Sequence, residues 1–262
     1  GKPGHMLAGA GGNLQRVAVC RQALAQYVKN GVFVALGGGA VVGWRHRGWG
    51  NRSDEAIVAP VPCALSAPTH SARREGLLQS RACAAHQHSM FIHITGASGS
   101  GTSTLGAALA AELGCSFLEA DDFLWLPTEP PYQTLRPVDE RRSLLLAALE
   151  CSGSAVVSGS VSGWGVEIEN IFDGIVFLYL DTALRLERLH AREVQRFGRA
   201  NPAFLTWAAQ YDEGPPEGRS LARQKAWLAA RKCPVLVLEG DLSTAERIAR
   251  LLPWWAGVGP HR

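Results

Sequence analysis

The chain has 262 residues, of which 47% are hydrophobic and 19% are charged. This composition excludes disorder of the whole chain and supplies enough apolar side chains for a packed core. At about 100–200 residues per domain, the length fits one large domain, or one ordinary domain with an appendage.

The formal net charge of +3 conceals two regions of opposite sign. Residues 1–89 carry ten Lys and Arg against three Asp and Glu, whereas residues 90–262 carry sixteen against twenty. We expect residues 1–6, GKPGHM, to be a cloning scar and residues 7–89 to be a basic N-terminal extension. Either Met90 is the natural start, or the extension is a basic module for an acidic partner. On composition alone, we favour a solvated tail over nucleic-acid binding.

The six cysteines and the apolar runs indicate the cellular compartment in which the protein is expected. No two cysteines are spaced C-x-x-C, so the sequence supports neither a disulfide framework nor a zinc site. The longest apolar run, Gly31–Trp44, has 14 residues, whereas a membrane span needs about 20. We therefore expect a cytoplasmic protein that is not attached to a membrane. The oligomeric state is not predicted.

From residue 90 onwards, short apolar segments alternate with helical patterns. The predicted strands are Phe91–Thr95, Cys115–Ala120, Ala155–Val157, Gly174–Leu180 and Val235–Glu239. The predicted helices are Thr102–Gly114, Val138–Cys151, Thr182–Phe197, Pro202–Tyr211, Ser220–Arg231 and Ser243–Leu252. Strands that are apolar throughout and alternate with helices indicate a parallel sheet covered on both faces. Residues 90–262 are therefore predicted to form a three-layer α/β domain.

A glycine-rich segment lies between the first predicted strand and the first predicted helix. It follows the phosphate-loop pattern G-x-x-x-x-G-K-S/T at Gly96, Gly101 and Ser103, but Thr102 stands at the lysine position. Converging backbone N–H groups and the helix N-terminus would bind the phosphates of ATP, and Ser103 would be a Mg²⁺ ligand. The predicted nucleotide-binding residues are Gly96, Ser98, Gly99, Ser100, Gly101, Thr102, Ser103 and Thr104. Thr102 removes the lysine charge that normally acts on the terminal phosphates.

Three features together resemble small bacterial P-loop kinase-like proteins, called adenylate-kinase-like and related to the topology modulation proteins. They are the loop Gly96–Thr104 with Asp121–Thr128, the segments Ser158–Ser160 and Gly163–Gly165, and the arginine-rich run Arg185–Gly198. The resemblance covers residues 90–241. It implies the nucleoside monophosphate kinase fold with sheet order 2-3-1-4-5, ATP–Mg²⁺ as donor and a mobile lid. Threonine at the lysine position also resembles the loop of archaeal-type cytidylate kinases.

Five arginines follow one another at helical spacing after the fourth strand. They are Arg185, Arg188, Arg192, Arg196 and Arg199. Spacings of three and four place them along one helix face. The resemblance implies that Arg188, Arg192 and Arg196 are catalytic lid residues, which could partly replace the missing lysine charge. The alternative is a solvated basic face.

Carboxylates follow the second strand, at the edge of a parallel sheet where ligands bind. We assign Asp121 to a catalytic, water-mediated Mg²⁺ role and Asp122 to the acceptor, and the two roles could be exchanged. Capping of a turn or helix is the alternative for both. Asp181, which precedes the arginine-rich helix, is predicted to be its N-cap.

The remaining acceptor candidates are drawn from the third strand and its surroundings. They are Ser158, Gly159, Trp164 and Arg136. Gly159 permits close backbone approach, Trp164 or Trp125 could stack on an acceptor ring, and Arg136 could clamp an acceptor phosphate. Ordinary packing or a surface ion pair is the alternative for the large side chains. His93, inside the first strand, is predicted to be a packed residue.

These features favour an ATP-dependent phosphotransferase that acts on a small acceptor. A nucleoside monophosphate is preferred to an acceptor of the shikimate or gluconate type. Two alternatives stay open: a nucleotide-binding regulatory protein without catalysis, for which Thr102 is the best support, and a weak nucleoside triphosphatase.

Overall fold

The computed structural model describes residues 89–129, 131–214 and 218–258. The expected cloning scar and the basic extension up to residue 88 lie outside the described residues. The strands are β1 (Met90–Gly96), β2 (Ser116–Glu119), β3 (Ser154–Ser158), β4 (Gly174–Tyr179) and β5 (Val235–Glu239). The helices among the described residues are α1 (Thr102–Leu113), α2 (Ala120–Leu124), α3 (Val138–Ser152), α4 (Val166–Glu169), α5 (Thr182–Phe197), α6 (Pro202–Ala209), α7 (Leu221–Ala229) and α8 (Thr244–Val258).

The five strands form one parallel sheet in the order β2-β3-β1-β4-β5. This confirms the predicted fold class and strand order. In the sheet register, Ser158 of β3 pairs with Glu119 of β2 and with Ile94 of β1. The carboxyl ends of the three strands therefore meet at one edge, where the chain order reverses and ligands bind in open α/β sheets.

Helices cover both faces of the sheet. On one face, Leu105 and Leu109 of α1 and Leu251 of α8 pack around Ile92 of β1. On the other face, a second core forms around Val157 of β3. Its helical members include Leu145, Leu149, Ile168 and Leu228. Burial of each such side chain contributes about 1.5–3 kcal/mol, which explains why the strands are apolar on both faces.

The last helix differs from its prediction. The sequence predicted an end at Leu252, since proline usually ends a helix, whereas α8 continues through Pro253 to Val258. A Cβ built on Gly174 would lie 2.8 Å from the Trp255 ring and 3.0 Å from the Trp254 ring. Close packing of both tryptophans against β4 stabilises the turn after the proline. None of the helices described between residues 89 and 258 is long and apolar enough to cross a membrane.

Candidate functional site

The phosphate loop leaves β1 at Gly96 and enters α1 at Thr102. A Cβ on Gly96 would lie 2.5 Å from the Leu178 carbonyl oxygen, so only glycine fits without a backbone shift. Gly99 has a φ of 86°, a region that L side chains rarely adopt, and its built Cβ would lie 2.7 Å from the Arg185 carbonyl oxygen. The two glycines thus hold the loop against β4 and α5.

The N-terminus of α1 faces the loop. Its N-cap is Gly101, and no side chain among the described residues caps it. The first turn contains no acidic residue. The N–H groups at Thr102, Ser103 and Thr104 are therefore available to an anion, and the helix dipole favours negative charge there.

Three guanidinium groups donate to alternate carbonyl oxygens of the loop. Arg219 Nη2 lies 2.6 Å from the Gly96 oxygen, and Arg247 Nη1 lies 2.8 Å from the Ser100 oxygen. Arg185 Nη1 makes a longer contact of 3.5 Å to the Ser98 oxygen. Because the C=O and the next N–H of a peptide unit point in opposite directions, these contacts turn the intervening N–H groups the other way. Sequence reasoning missed the roles of Arg219 and Arg247.

Ser103 is joined to the end of β2. Its hydroxyl donates a hydrogen bond to Glu119 Oε1. Desolvation raises the pKa of Glu119, whereas the Ser103 hydrogen bond and the charges of Arg196 and Arg192 lower it. No role was assigned to Glu119 from the sequence, although its position two residues before Asp121 at the strand end is the signal that could have found it.

The two aspartates lie in the first turn of α2, not at the end of a strand as predicted. Negative charge is stabilised at a helix N-terminus, which explains why β2 ends at Glu119 and a short helix follows. Desolvation and the charges of Glu119 and Asp121 raise the pKa of Asp122 to about 7. Desolvation also raises the pKa of Asp121, against the charges of Arg219 and Arg192.

The donor atoms at this edge suit Mg²⁺ bound together with a nucleotide. No group of three or more His, Cys, Asp and Glu side chains that could hold a metal ion occurs in the described part of the chain. Mg²⁺ in nucleotide sites needs fewer protein ligands, because phosphates and water supply the rest. The Ser103 hydroxyl and the Glu119 carboxylate already touch, and Asp121 lies nearby. These residues fit the metal.

The arginines of α5 do not share one environment. Arg185 is fully buried and donates to the carbonyl oxygens of Leu180 and Ala208. Arg188 forms an ion pair with Asp241, beyond β5. Arg192 and Arg196 lie close enough to Glu119 to lower its pKa. The predicted arginine series is thus divided. Arg192 and Arg196 lie within electrostatic range of Glu119, and Arg192 also pairs with Glu193 at 3.7 Å. Glu119, Asp121 and Asp122 are called the acidic cluster below. Asp181 accepts a hydrogen bond from the Ala183 N–H, which confirms the predicted N-cap.

Ser158 and Gly159 lie beside the acidic cluster. Ser158 is fully buried, and its Oγ has no hydrogen-bond partner among the described residues. Gly159 has a φ of 104°, and its N–H donates a hydrogen bond to the Ile94 carbonyl oxygen. A Cβ built on Gly159 would lie only 3.0 Å from the Ala120 Cβ. The structure therefore brings the end of β3 to the start of α2.

Two predicted acceptor residues are engaged elsewhere, and their assignments are corrected. Trp164 is 2% exposed in the core, with the Arg141 guanidinium 5.1 Å from its ring, so no face is open for stacking. Arg136 is buried, and its Nε donates to the Phe123 carbonyl oxygen while Nη1 pairs with Glu140. Core packing therefore holds the Trp164 ring in place. The hydrogen bond to the Phe123 carbonyl oxygen holds the Arg136 guanidinium in place.

An aromatic pair stands near the acidic cluster. The rings of Trp125 and Tyr132 meet edge to face, with centroids 6.0 Å apart. Tyr132 is 51% exposed and has a φ of 63°, the only positive φ at a non-glycine residue in the described part of the chain. Its hydroxyl lies within electrostatic range of Asp122 and Arg196. Sequence reasoning named Trp125 and missed Tyr132.

His93 lies away from this edge, inside the core. Its ring stacks on Phe172 with a centroid distance of 4.7 Å, and Nδ1 contacts the Val157 carbonyl oxygen at 3.1 Å. Desolvation lowers the pKa of His93 to about 4, so the ring is neutral at pH 7. The prediction of a packed histidine is confirmed.

Comparison with solved structures gives similarities of low identity. Shikimate kinase from Acinetobacter baumannii in complex with shikimate has a TM-score of 0.42 at 17% identity, covering 66% of this chain and 96% of that one. A gluconokinase from Sinorhizobium meliloti 1021 has a TM-score of 0.42 at 22% identity, covering 65% and 93%. Deoxyadenosine kinase from M. mycoides with bound dCTP has a TM-score of 0.37 at 14% identity, covering 64% and 100%.

The sequence comparisons are more specific. No family model matches the chain. The uncharacterized protein YqaC of Bacillus subtilis (strain 168) is 42% identical over 173 residues, which cover 62% of this chain and 96% of YqaC. The strand order and the phosphate-loop motif after β1 give the described part of residues 90–258 a three-layer α/β fold of the P-loop type. By the extent of this identity, the chain belongs to the family that contains YqaC of Bacillus subtilis.

Proposed function

We propose that this chain transfers the terminal phosphoryl group of ATP–Mg²⁺ to a small acceptor, with a nucleoside monophosphate as the first candidate. The contact between Ser103 and Glu119 carries the proposal. It joins the phosphate loop to the acidic edge at the end of β2, so that donor and acceptor residues share one crevice. Phosphoryl transfer requires positioning and positive charge more than covalent chemistry by the protein.

On the donor side, the backbone N–H groups of the loop and of the first turn of α1 bind the phosphates. Ser103 and Glu119, with Asp121 nearby, would hold Mg²⁺, and the metal supplies neutralisation of the negative charge on the phosphates. Arg192 and Arg196 lie beside this cluster and add positive charge for the transferring group. Arg188 is engaged by Asp241 and has a smaller part in this proposal.

On the acceptor side, the ring pair Trp125–Tyr132 offers a surface for a base. Ser158, Gly159 and Asp122 would position the acceptor in the crevice. Because burial and the neighbouring carboxylates raise the pKa of Asp122 to about 7, its carboxyl can be protonated near neutral pH and can then donate a hydrogen bond to an acceptor phosphate. A nucleoside monophosphate matches both the aromatic surface and this donor.

One observation favours a second acceptor class within the same reaction. A carboxyl with a pKa of about 7 is also suited to take the proton of an attacking hydroxyl group. A small alcohol would therefore use ionised Asp122 as a base, whereas a nucleoside monophosphate loses no proton on attack. The pH dependence expected for the two classes is opposite in sign.

The test is a screen for ADP formation from ATP–Mg²⁺ over nucleoside monophosphates and small alcohols. ADP formation that requires an acceptor is expected. ADP without any acceptor would identify a triphosphatase, and nucleotide binding without turnover would identify a regulatory protein. The Gly99→Val variant is the matched control, because its side chain would clash with the Arg185 carbonyl oxygen and distort the loop. Activity that persists in this variant comes from a contaminating kinase.

A further inference from the structure

The face of the sheet that α7 covers has a groove beside the last strand. The groove has a volume of about 500 Å³ and lies between α7 and the strands β4 and β5. Val237, in the middle of β5, is 48% exposed, and the charged residues Lys225 and Glu239 also line the groove. Parallel sheets are normally buried on both faces, because contact of water with apolar strand residues is unfavourable. The groove is therefore suited to bind a further apolar element.

The position of α7 explains why the groove stays open among the described residues. The Trp227 ring meets the His93 ring of β1 edge to face, with centroids 5.8 Å apart. Gln224 Nε2 lies 3.5 Å from Thr95 Oγ1, which is also on β1. These contacts hold α7 over the centre of the sheet, whereas β5 is the outermost strand. None of the other helices described between residues 89 and 258 lines the groove.

A segment of the basic extension, outside the described residues, has the sequence pattern of such an element. In Leu14–Lys29, apolar residues recur at helical spacing and predict an amphipathic helix with one apolar stripe. The stripe consists of Leu14, Val17, Ala18, Leu24, Ala25 and Val28. Arg21 falls inside the stripe, between its two halves. A stripe with a central arginine is complementary to an apolar surface that carries a carboxylate.

The groove provides that carboxylate at Glu239. This residue ends β5, is exposed, and forms no ion pair with any residue that the structure describes. The strand rises about 13 Å from Val235 to Glu239. In a helix, the residues from Arg21 to either end of the stripe rise about 10 Å. With Arg21 beside Glu239, one half of the stripe therefore matches the length of the groove.

The connection between the segment and the sheet is long enough for this contact. Only β4 separates β1 from β5 in the sheet. At about 4.8 Å between neighbouring strands, β1 and β5 lie roughly 10 Å apart. Residues 30–89 join the segment to β1, and a coil of that length spans roughly 40 Å on average. The segment can therefore reach the groove of its own chain.

We propose that Leu14–Lys29 docks as a helix in the groove between α7 and β5 of its own chain, with Arg21 paired to Glu239. The apolar stripe covers Val237, and the polar side of the helix faces water. The excess of basic residues before residue 90 and of acidic residues after it favours the same contact. The inference goes beyond the proposed function and does not depend on it, since no residue lining the groove belongs to the phosphate loop or to the acidic cluster.

The test measures how fast a thiol placed in the groove of the full chain reacts with iodoacetamide, by mass spectrometry of its peptides. In the Val237→Cys variant, addition of Leu24→Asp should raise the alkylation rate at least about fivefold, because a carboxylate in the apolar stripe opposes docking and exposes the thiol. Gln26→Asp, on the opposite side of the predicted helix, is the matched control and should leave the rate within about twofold. Equal rates with Leu24→Asp and Gln26→Asp would overturn the proposal.

A charge exchange tests the pairing of Arg21 with Glu239. Arg21→Glu and Glu239→Arg should each raise the alkylation rate of the Val237→Cys variant about two- to fivefold, because each brings like charges together. The two changes together should return the rate to within about twofold of the starting variant, since the ion pair is restored in reverse. A combined variant that reacts faster than either single exchange would contradict the pairing.

Dilution separates docking within one chain from a cover supplied by a second copy. The first gives alkylation rates that do not depend on chain concentration, whereas the second loses its protection as the chain is diluted. Rates that rise on dilution would identify a second copy and overturn the proposal. If the Val237→Cys variant does not fold, Lys225→Cys, at an exposed position of α7 in the same groove, serves for the same comparisons.

Discussion

The proposed donor and acceptor sides of the site differ in what they are made of. The phosphate loop consists of backbone held by packed glycines and by guanidinium groups at three of its carbonyl oxygens. The acceptor side consists of side chains, and its aromatic residue Tyr132 is 51% exposed and has a φ of 63°. A site made of backbone tolerates few changes in geometry, whereas a site made of exposed side chains can be altered without unfolding the protein.

This contrast indicates which quantity each substitution should change. Changes at the loop should act on nucleotide affinity, and changes around Asp122 and Tyr132 should act on the acceptor. The residues between the two sides should act on turnover. The following variants test that division.

The largest effect is expected between the two sides, at Arg192 and Arg196. Alanine at either position should lower turnover at least about tenfold, because each guanidinium adds charge near the transferring phosphate. The free energy of unfolding should change by less than about 1 kcal/mol, since exposed charges contribute little to stability. Steady-state kinetics and thermal unfolding measure the two effects.

The control for this pair is Arg199→Ala, from the same arginine series but beyond the end of α5 at Phe197. It should leave turnover within about twofold. If Arg192→Ala and Arg196→Ala do no more than this control, the arginines form a solvated face and the catalytic assignment is wrong.

On the acceptor side, the ionisation of Asp122 should control the affinity for a nucleoside monophosphate. As the pH rises through about 7, Asp122 becomes negative and repels the acceptor phosphate, so that KM should rise roughly tenfold between pH 6 and 8. Asp122→Asn should remove this dependence. A turnover number that rises with pH instead would favour the alcohol acceptor.

The raised pKa of Asp122 should also make the stability of the folded chain depend on pH. Because the pKa is higher in the folded chain than in the unfolded chain, its contribution to stability is present below about pH 4 and is lost as the pH rises through about 7. The Asp122→Asn variant should therefore unfold at a higher temperature than the parent at pH 8. The two proteins should converge below pH 4, and parallel curves would contradict the raised pKa.

On the donor side, Ser103→Ala should weaken the Mg²⁺-dependent part of nucleotide binding about three- to tenfold. The variant removes one metal ligand and the hydrogen bond to Glu119 but leaves the backbone N–H groups in place. Titrations of ADP with and without Mg²⁺ isolate this part. Ser152→Ala, on α3 and remote from the loop, is the control. An unchanged Mg²⁺ effect would show that Ser103 does not bind the metal.

The smallest effect is expected at Tyr132. Asparagine tolerates the left-handed conformation, and relief of about 1–2 kcal/mol of strain should offset loss of the ring contact with Trp125, worth about 0.5–1.5 kcal/mol. Tyr132→Asn should therefore raise KM for the acceptor a few-fold while the free energy of unfolding stays nearly constant. Tyr132→Phe, which keeps the ring, should behave like the parent. Loss of ATP affinity in Tyr132→Asn would contradict the division into two sides.

The sequence was sufficient for the fold and for the phosphate loop. Strands buried on both faces read as apolar runs, and β5 and α5 have the predicted bounds. The phosphate loop is recognisable because its geometry depends on glycines that are near one another in the chain. Prediction from neighbouring residues failed where a contact distant in sequence determines the structure. At Pro253 the helix was predicted to end, but packing of Trp255 on Gly174 maintains it.

The rest of the candidate site could not be predicted from the sequence, because it also depends on contacts between residues that are distant in sequence. Arg219 and Arg247 reach the loop across 123 and 147 residues, and no local pattern marks them. Arg185 fits the spacing of the arginine series, but its burial separates it from the others. Glu119 and Tyr132 gain their roles from neighbours on other elements, which the order of residues does not reveal.

The hydrogen bond from Arg247 to the Ser100 carbonyl oxygen has a consequence for biosynthesis. During translation the phosphate loop emerges long before α8, by roughly 7–30 s at about 5–20 residues per second for the 147 residues that separate the two partners. Until Arg247 arrives, the Ser100 carbonyl lacks the donor that turns it away from the cradle. A nascent chain should therefore bind nucleotide only after its last helix has docked, and the same late step would exclude nucleotide from incomplete chains.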